Sequence, residues 1–347
     1  MAVLPRFAGQ PPRDLTRPLR RVEVKIDARQ AGARLDVALQ FFLSWRSRTG
    51  VHRLIRAGMV ELEGRTARPS SKVRHGELIV VNLPEPAEPD ATTAPTGFEV
   101  PILYEDRWLV VVDKPAGLAV HPAGRRLYGT LIHFLHCRYR RPDDPAHDVV
   151  PRLLHRLDRE TSGVVAAGLD DDFHVEVGRQ FEDRLVHKTY LAVVHGKPPA
   201  ASGAVELGIG PARRGTAIRL KMEARGDGSG LPAVTNYRVL ASRGAFSLLE
   251  LSPKTGRTHQ LRVHMAAIGC PLVGDKVYGV PDDVFLAHIA GGLSMEQRRA
   301  LILDRHALHA HRLRFFHPRR GHEIQIEAPL PAEMSALVGV DSADLRA

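Results

Sequence analysis

A proline-rich segment, residues 84–97, limits how this chain can fold because it divides the sequence into two unequal parts. The segment has four prolines and no residue whose pattern suggests burial. Proline fixes the backbone angle φ and lacks an amide hydrogen, so such a segment tends to stay extended as a linker. We therefore expect a small domain at 22–83, a larger one at 98–330 and a tail at 331–347.

The positive charge of the chain is concentrated before this linker. Residues 1–84 contain sixteen Lys and Arg against seven Asp and Glu, and so hold nine of the ten net positive charges. A small basic domain joined to a nearly neutral one suggests that the first part grips a polyanion. Residues 1–21 are rich in Pro and Arg without periodicity, and we expect a disordered basic arm there.

The spacing of the cysteines and the length of the apolar runs indicate the cellular compartment in which the protein works. Cys137 and Cys270 lie far apart in no metal-binding or redox spacing, which favours a reducing environment. The first residues lack the apolar stretch of a signal peptide, and apolar runs such as 109–112 have the length of a strand rather than of a membrane span. We expect a cytoplasmic protein, a monomer, with no membrane partner.

The first domain combines amphipathic helices with short strands. Leu35, Ala38 and Leu39 recur at helical spacing, a second helix is predicted at 48–57, and strands are predicted at 59–64 and 77–81. Four arginines on or beside the second helix lie away from its apolar face and could follow RNA phosphates: Arg46, Arg48, Arg53 and Arg56.

This first domain resembles the small α/β RNA-binding domain first seen in ribosomal protein S four. The resemblance covers about residues 33–82. It rests on Arg34-Leu35-Asp36, Ser47-Arg48, the run 54–60 and the step from Lys72-Val73 to Gly76. RNA is therefore the polyanion that we expect it to bind.

The second part alternates short strands with helices but lacks a regular βαβ rhythm. Strands are predicted at 102–106, 108–113, 188–196 and 246–251. Helices are predicted at 170–181, after an N-cap at Thr258, and from Ser294, where Gln297 completes a capping box. This order predicts an α+β domain with a mixed, largely antiparallel sheet.

Residues 155–163, His-Arg-Leu-Asp-Arg-Glu-Thr-Ser-Gly, contain five ionisable side chains between apolar runs at 149–154 and 164–169. Charges beside buried segments are costly unless paired, and perturbed pKa values gather in such loops. Composition alone leaves a functional loop and a solvated, salt-bridged turn equally open. A second Arg-Leu-Asp contains Asp36, which begins an amphipathic helix as a partner of its dipole and is predicted to be structural.

The chemistry of this loop centres on Asp158. Arginines nearby would keep its carboxylate ionised as a nucleophile or base. A glycosidase-like site would need a second acid, for which Glu160 is the candidate, although a salt bridge or helix cap fits Glu160 better. Ser162 lacks a nucleophile elbow, and no metal site is expected among the four histidines of 306–317, because no Cys, Asp or Glu has matching spacing.

The loop is similar to the signature of the RluA-type pseudouridine synthases, His-Arg-Leu-Asp-x-x-Thr-Ser-Gly, at every defined position. Three further segments resemble that family in order and spacing: 104–117, 188–192 and 256–279. The resemblance covers about residues 98–330 and implies the catalytic domain of a pseudouridine synthase.

The resemblance implies that the chain isomerises uridine to pseudouridine in RNA without a cofactor or metal. Asp158 would attack the ribose, either by adding to the anomeric carbon or by removing the neighbouring sugar proton. Tyr190 would stack on the base, and Arg262 would pair with Asp158. Arg156 would fill the place that the flipped uridine leaves.

Family members with such a first domain mostly modify large-subunit ribosomal RNA, which we therefore expect as the substrate. The alternatives are the same reaction on transfer RNA, a non-catalytic RNA- or ribosome-binding protein and, more weakly, a glycosidase-like hydrolase. The presence of Asp158, Tyr190 and Arg262 argues against an inactive member.

Overall fold

The structure, a computed structural model, describes residues 21–43, 48–83, 98–122, 129–141, 143–144, 146–213, 216–218 and 221–340. The predicted linker 84–97 and residues 1–20 of the predicted arm lie outside them. The described residues divide into two compact units, one with 21–83 and the segment 119–151, the other with 98–118 and 152–340. The predicted larger domain, 98–330, included residues 119–151, because no linker-like composition separates them from the rest of that domain.

The first unit contains a four-stranded antiparallel sheet in the order β1-β4-β2-β3. Its elements are β1 (Arg21–Lys25), α1 (Leu35–Phe42), α2 (Arg48–Arg56), β2 (Val60–Leu62), β3 (Arg65–Thr66), β4 (Leu78–Asn82) and, in the segment 119–151, α3 (Leu131–Tyr139). The apolar faces of α1 and α2 share one core with β2 and β4, as their periodicity predicts. Strand β1 escaped prediction because its valines are only half-buried.

The second unit is built on a ten-stranded sheet in the order β10-β13-β14-β9-β15-β8-β6-β5, to which β16 adds on β15 and β7 on β8. The strands of this unit, including the separate pair β11–β12, are β5 (Ile102–Glu105), β6 (Leu109–Lys114), β7 (Arg152–Leu153), β8 (Ser162–Gly168), β9 (His187–His195), β10 (Ser202–Glu206), β11 (Gly208–Pro211), β12 (Met222–Arg225), β13 (Val234–Arg243), β14 (Phe246–Pro253), β15 (Leu308–His317) and β16 (His322–Glu327). Only β8 and β15 pair in parallel among the described strands. The prediction of an α+β fold with a mixed, largely antiparallel sheet is confirmed.

The helices of this unit confirm some predicted boundaries and correct others. They are α4 (Asp171–Glu182), α5 (Gln260–Ala267), α6 (Asp282–Ile289), α7 (Met295–Leu301) and α8 (Ala332–Val338). The capping box of Ser294 and Gln297 begins α7 as predicted. The N-cap of α5 is His259 in a left-handed conformation, so Thr258 was the wrong residue. Within the described ranges, no helix combines the length and apolarity that a membrane span needs.

The predicted tail also needs correction, because α8 lies inside it. Met334 and Val338 are buried in one apolar cluster with Leu330 of the preceding segment. The helix therefore belongs to the folded unit, and the sequence understated it because seven residues give too short a run for a periodicity argument.

Strand β8 is central to the sheet and follows directly after the charged loop 154–161. All seven of its residues are buried, as an uninterrupted apolar run between two neighbouring strands predicts. At Gly163, φ is +109°, and an added Cβ would lie 2.2 Å from the Ala310 carbonyl oxygen of β15. Only glycine allows the two parallel strands to approach this closely.

We expect Gly163→Ala to lower the free energy of unfolding by roughly 2–5 kcal/mol, because it adds both backbone strain and a steric overlap with β15. Urea unfolding followed by circular dichroism would measure this loss. The matched control is Gly178→Ala inside α4, where a new Cβ meets no atom within 4 Å. That control should be stabilising by about 1 kcal/mol, and equal effects at the two glycines would contradict our explanation.

Candidate active site

Four side chains singled out from the sequence line one cleft of about 330 Å³: Arg156, Asp158, Tyr190 and Arg262. Asp158 lies in the loop before β8, Tyr190 in β9 and Arg262 in the first turn of α5. The volume is at the lower end of the range of about 300–1,000 Å³ that is usual for small-molecule sites. The fold therefore brings together residues that are up to 106 positions apart in the sequence.

Arg262 holds two carboxylates at once. Its Nη1 donates to Asp158 Oδ2 at 3.2 Å. Its Nε and Nη2 donate to the two carboxylate oxygens of Asp275 at 2.7 and 2.8 Å. The side chain of Asp275 is fully buried, whereas 30% of the side chain of Asp158 is exposed. The bidentate pair with Asp275 therefore fixes the guanidinium, which then presents its remaining donor to Asp158.

The environment of Asp158 keeps it ionised. Burial raises the pKa of its carboxyl, but the neighbouring His259 and Arg262 more than offset this, and the pKa lies below its ordinary value. Burial also lowers the pKa of His259, so that ring is largely neutral at pH 7. The permanent charge of Arg262 is therefore the partner that keeps Asp158 a carboxylate at neutral pH.

Asp275 is stabilised from several directions. Burial opposes its charge, but the hydrogen bonds from Arg262 and the backbone N–H of Val277 bring its pKa down to about 2. The N–H of Tyr278 also donates to it, at 3.1 Å. The guanidinium of Arg262 lies 5.1 Å from the centre of the Tyr278 ring, which adds a cation–π contact.

Tyr190 contributes a neutral aromatic ring to the cleft. Burial, together with the negative charge of Asp158, raises the pKa of its phenol above the ordinary value. The hydroxyl therefore keeps its proton throughout the physiological pH range. A protonated phenol on a strand in the middle of a sheet is a rigid, flat surface against which a planar base can stack.

The loop that carries Asp158 is anchored directly after this residue, first by a buried lysine. Lys114 is fully buried, and its Nζ donates to the carbonyl oxygens of Pro115, Leu118 and Arg159 at 2.9, 2.9 and 3.1 Å. Burial lowers the pKa of this lysine to about 7. The ammonium group of Lys114 therefore ties the segment 115–118 to Arg159, the residue that follows Asp158.

A second anchor follows Asp158. Lys276 Nζ lies 2.9 Å from both carboxylate oxygens of Glu160, and Thr161 Oγ1 lies 2.7 Å from His306 Nε2. Glu160 is thus in a salt bridge, the role that the sequence favoured over that of an acid. His309 and His311 lie within hydrogen-bond distance of Ser162 Oγ and the Ala328 carbonyl oxygen, respectively.

Sequence reasoning missed His259 as part of the site. Its Nε2 lies 3.9 Å from Asp158 Oδ2, and its Nδ1 lies 2.9 Å from the Tyr278 hydroxyl. That hydroxyl also accepts a hydrogen bond from the Met222 N–H. The ring of His259 is thus held between Tyr278 and Asp158.

The predicted RNA-binding arginines of the first unit differ in their surroundings. Asp36 is fully buried and accepts hydrogen bonds from Arg34 at 2.9 Å and Arg48 at 3.1 Å. Arg48 thus has a structural partner that the sequence prediction had not assigned to it. Arg53 and Arg56 are exposed on α2, and Arg46 lies outside the described residues.

Comparison with known proteins shows which family this chain resembles. A family model described as RNA pseudouridylate synthase matches residues 108–267. Ribosomal large subunit pseudouridine synthase D of Neisseria meningitidis is 38% identical over 92% of this chain and 82% of its own. The protein of that name in Xanthomonas campestris is 37% identical over 89% and 88%. The solved structure of human RNA pseudouridylate synthase domain containing 1 is 28% identical, covers 70% of this chain and 87% of its own, and has a TM-score of 0.53.

These comparisons place the chain among the RNA-modifying isomerases. The chain belongs to the RNA pseudouridine synthase family, since the two curated relatives are 38% and 37% identical over about nine-tenths of its length. It is an enzyme that isomerises uridine to pseudouridine in RNA.

The ion pair makes a prediction about pH. In Arg262→Gln, burial acts on Asp158 without its cationic partner, so the pKa of Asp158 rises. As the pH is lowered, Asp158 of the variant is then protonated at a higher pH than in the wild type, and a reaction that needs the carboxylate slows at that higher pH. We expect the acid limb of the kcat/KM profile to move up by about 1–3 pH units, besides an overall loss of rate. The exposed Arg298→Gln should leave the profile unchanged, and an unmoved limb in Arg262→Gln would refute this account.

Proposed function

We propose that the enzyme isomerises one or more uridines of large-subunit ribosomal RNA, with Asp158 as its catalytic residue. The observation that carries the catalytic assignment is the 3.2 Å pair of Asp158 and Arg262 at a cleft that Tyr190 also lines. The substrate assignment is supported by two relatives that are named for the large ribosomal subunit and match about nine-tenths of the chain.

The target uridine must leave its stack, at a cost of a few kcal/mol, before its ribose can reach Asp158. The carboxylate then adds to the anomeric carbon or removes the neighbouring sugar proton, and the glycosidic bond to nitrogen breaks. The freed uracil turns, rejoins the sugar through carbon five and loses the proton of that carbon. Because the product is an isomer of the substrate, the reaction needs no oxidant, reductant or group donor.

The other cleft residues hold the substrate in this proposal. The ring of Tyr190 stacks on the uracil while it is detached, and Arg262 orients the carboxylate. Arg156 is exposed at the mouth of the cleft and takes the place of the flipped nucleotide in the RNA. A guanidinium suits that place because it can stack on bases and donate hydrogen bonds in the same plane.

The first unit supplies additional affinity for RNA. Arg53 and Arg56 are its best candidates for phosphate contacts, whereas Arg48 shares its guanidinium with Asp36. Arg46 completes the predicted set. We propose that the protein works as a cytoplasmic monomer, in a compartment that keeps the unbridged Cys137 and Cys270 reduced.

Asp158→Asn should abolish isomerisation but not RNA binding, because the amide is nearly the same size but is a far weaker nucleophile and base. With ribosomal RNA tritiated at uridine carbon five, we expect label release to fall by at least about a thousandfold. The Kd for the same RNA should stay within about threefold of that of the wild type. The exposed Asp304→Asn serves as the control and should release label at the normal rate.

Two outcomes would count against different parts of this proposal. Continued release by Asp158→Asn would place the catalytic group elsewhere. Release by the wild type from transfer RNA alone would leave the role of Asp158 intact and replace the substrate.

A further inference from the structure

A second groove, of about 670 Å³, lies beside the catalytic cleft in the same unit. Its walls come from the end of α4, the start of β9, the segment 252–257 and the strands β15 and β16. Five residues line both the groove and the cleft: Lys188, Pro253, Thr255, Gly256 and Arg257. The two depressions are therefore adjacent, and an RNA strand with one nucleotide in the cleft can extend toward the groove.

The groove is strongly positive. One carboxylate, that of Glu182, lines it, against six Lys and Arg: Arg184, Lys188, Lys254, Arg257, Arg312 and Arg314. Arg312 and Arg314 have acidic partners on β16, Glu327 and Glu323. The other four take part in none of the ion pairs among the residues that the structure describes. Unneutralised cations that line one groove attract a polyanion and raise its local concentration.

Arg184 occupies a backbone position that normally favours glycine. It follows α4 with φ of +61°, and the next N–H, of Leu185, donates to the Gln180 carbonyl oxygen at 2.9 Å, as in a Schellman helix end. A residue with a Cβ is strained there. Strain of this kind tends to persist where a side chain has a function, and the side chain of Arg184 lines the groove.

Phosphates rather than bases fit this surface. The ring of Phe181 stacks on His155, with centroids 5.2 Å apart, and Lys188 Nζ lies 5.7 Å from its centre. The aromatic side chain of the groove thus already has partners. Its cations can contact a backbone of any sequence.

We propose that this groove binds the phosphate backbone of the RNA next to the target uridine. The inference deepens the proposed function and rests on it. The catalytic cleft holds the nucleotide that reacts, and the groove holds the strand that leads to it. Its contribution to affinity is electrostatic and therefore depends on salt but not on sequence.

The test uses the full chain in an Asp158→Asn background, so that binding is measured without turnover. We compare Arg184→Gly/Lys254→Ala/Arg314→Ala with the unaltered background on one large-subunit ribosomal RNA transcript. The slope of log Kd against log salt concentration should fall in magnitude by about 2, since each lost contact with a single strand removes about 0.7. A control that removes three exposed cations elsewhere, Lys197→Ala/Arg243→Ala/Arg299→Ala, should keep the slope.

Arg184 also allows a test in which stability and binding change in opposite directions. Arg184→Gly relieves the left-handed strain, so its thermal unfolding midpoint should rise while RNA affinity falls. Arg184→Lys keeps the positive charge, so its slope of log Kd against log salt concentration should equal that of the unaltered background, unlike the slope of Arg184→Gly. An unchanged slope in the triple variant, or weakened binding that accompanies a lowered midpoint in Arg184→Gly, would overturn the inference. Failure of the proposed function has a different signature, since the wild type would then release no label from ribosomal RNA.

Discussion

The site depends on a single guanidinium that is shared by two carboxylates of unequal exposure. Asp275 is fully buried and holds Arg262 by a bidentate pair, and Arg262 in turn makes one contact with the partly exposed Asp158. Removing one partner from a buried ion pair typically costs about 3–5 kcal/mol, because a charge is left without compensation. The buried carboxylate therefore fixes the guanidinium on one side, and the other side of the guanidinium remains available to Asp158.

A difference in exposure also distinguishes the aspartates of the two Arg-Leu-Asp sequences, Asp36 and Asp158. Both aspartates are paired with arginines, and their pKa values are lowered. The side chain of Asp36 is fully buried, and its partners Arg34, Arg48 and His52 are all close to it in sequence. Asp158 has its arginine partner on a distant helix and keeps an open face. Exposure, rather than charge or motif, is what distinguishes the structural carboxylate from the one proposed to react.

The sequence predicted some of the site residues and elements of this fold but not the contacts that support them. Loop composition and family resemblance were enough to predict Asp158, Tyr190 and Arg262 as neighbours, and the alternation of elements was enough to predict the α+β fold. The roles of Asp275 and His259 could not be predicted, because they arise from contacts between segments that no local pattern connects. Similarly, Arg48 has the spacing of an exposed cation, and only the folded chain reveals its carboxylate partner.

The parallel pairing of β8 with β15 has a consequence for how the enzyme is made. Gly163 and Ala310 meet in register although almost 150 residues separate them, and Ser162 Oγ lies 2.9 Å from His309 Nδ1 across the same pair of strands. Contacts of such sequence separation form late, since the entropy of closing the loop must be lost before they stabilise anything. During synthesis, the loop of Asp158 leaves the ribosome long before the strand that fixes it. The nascent protein therefore completes the cleft around Asp158 only when most of the chain has been made.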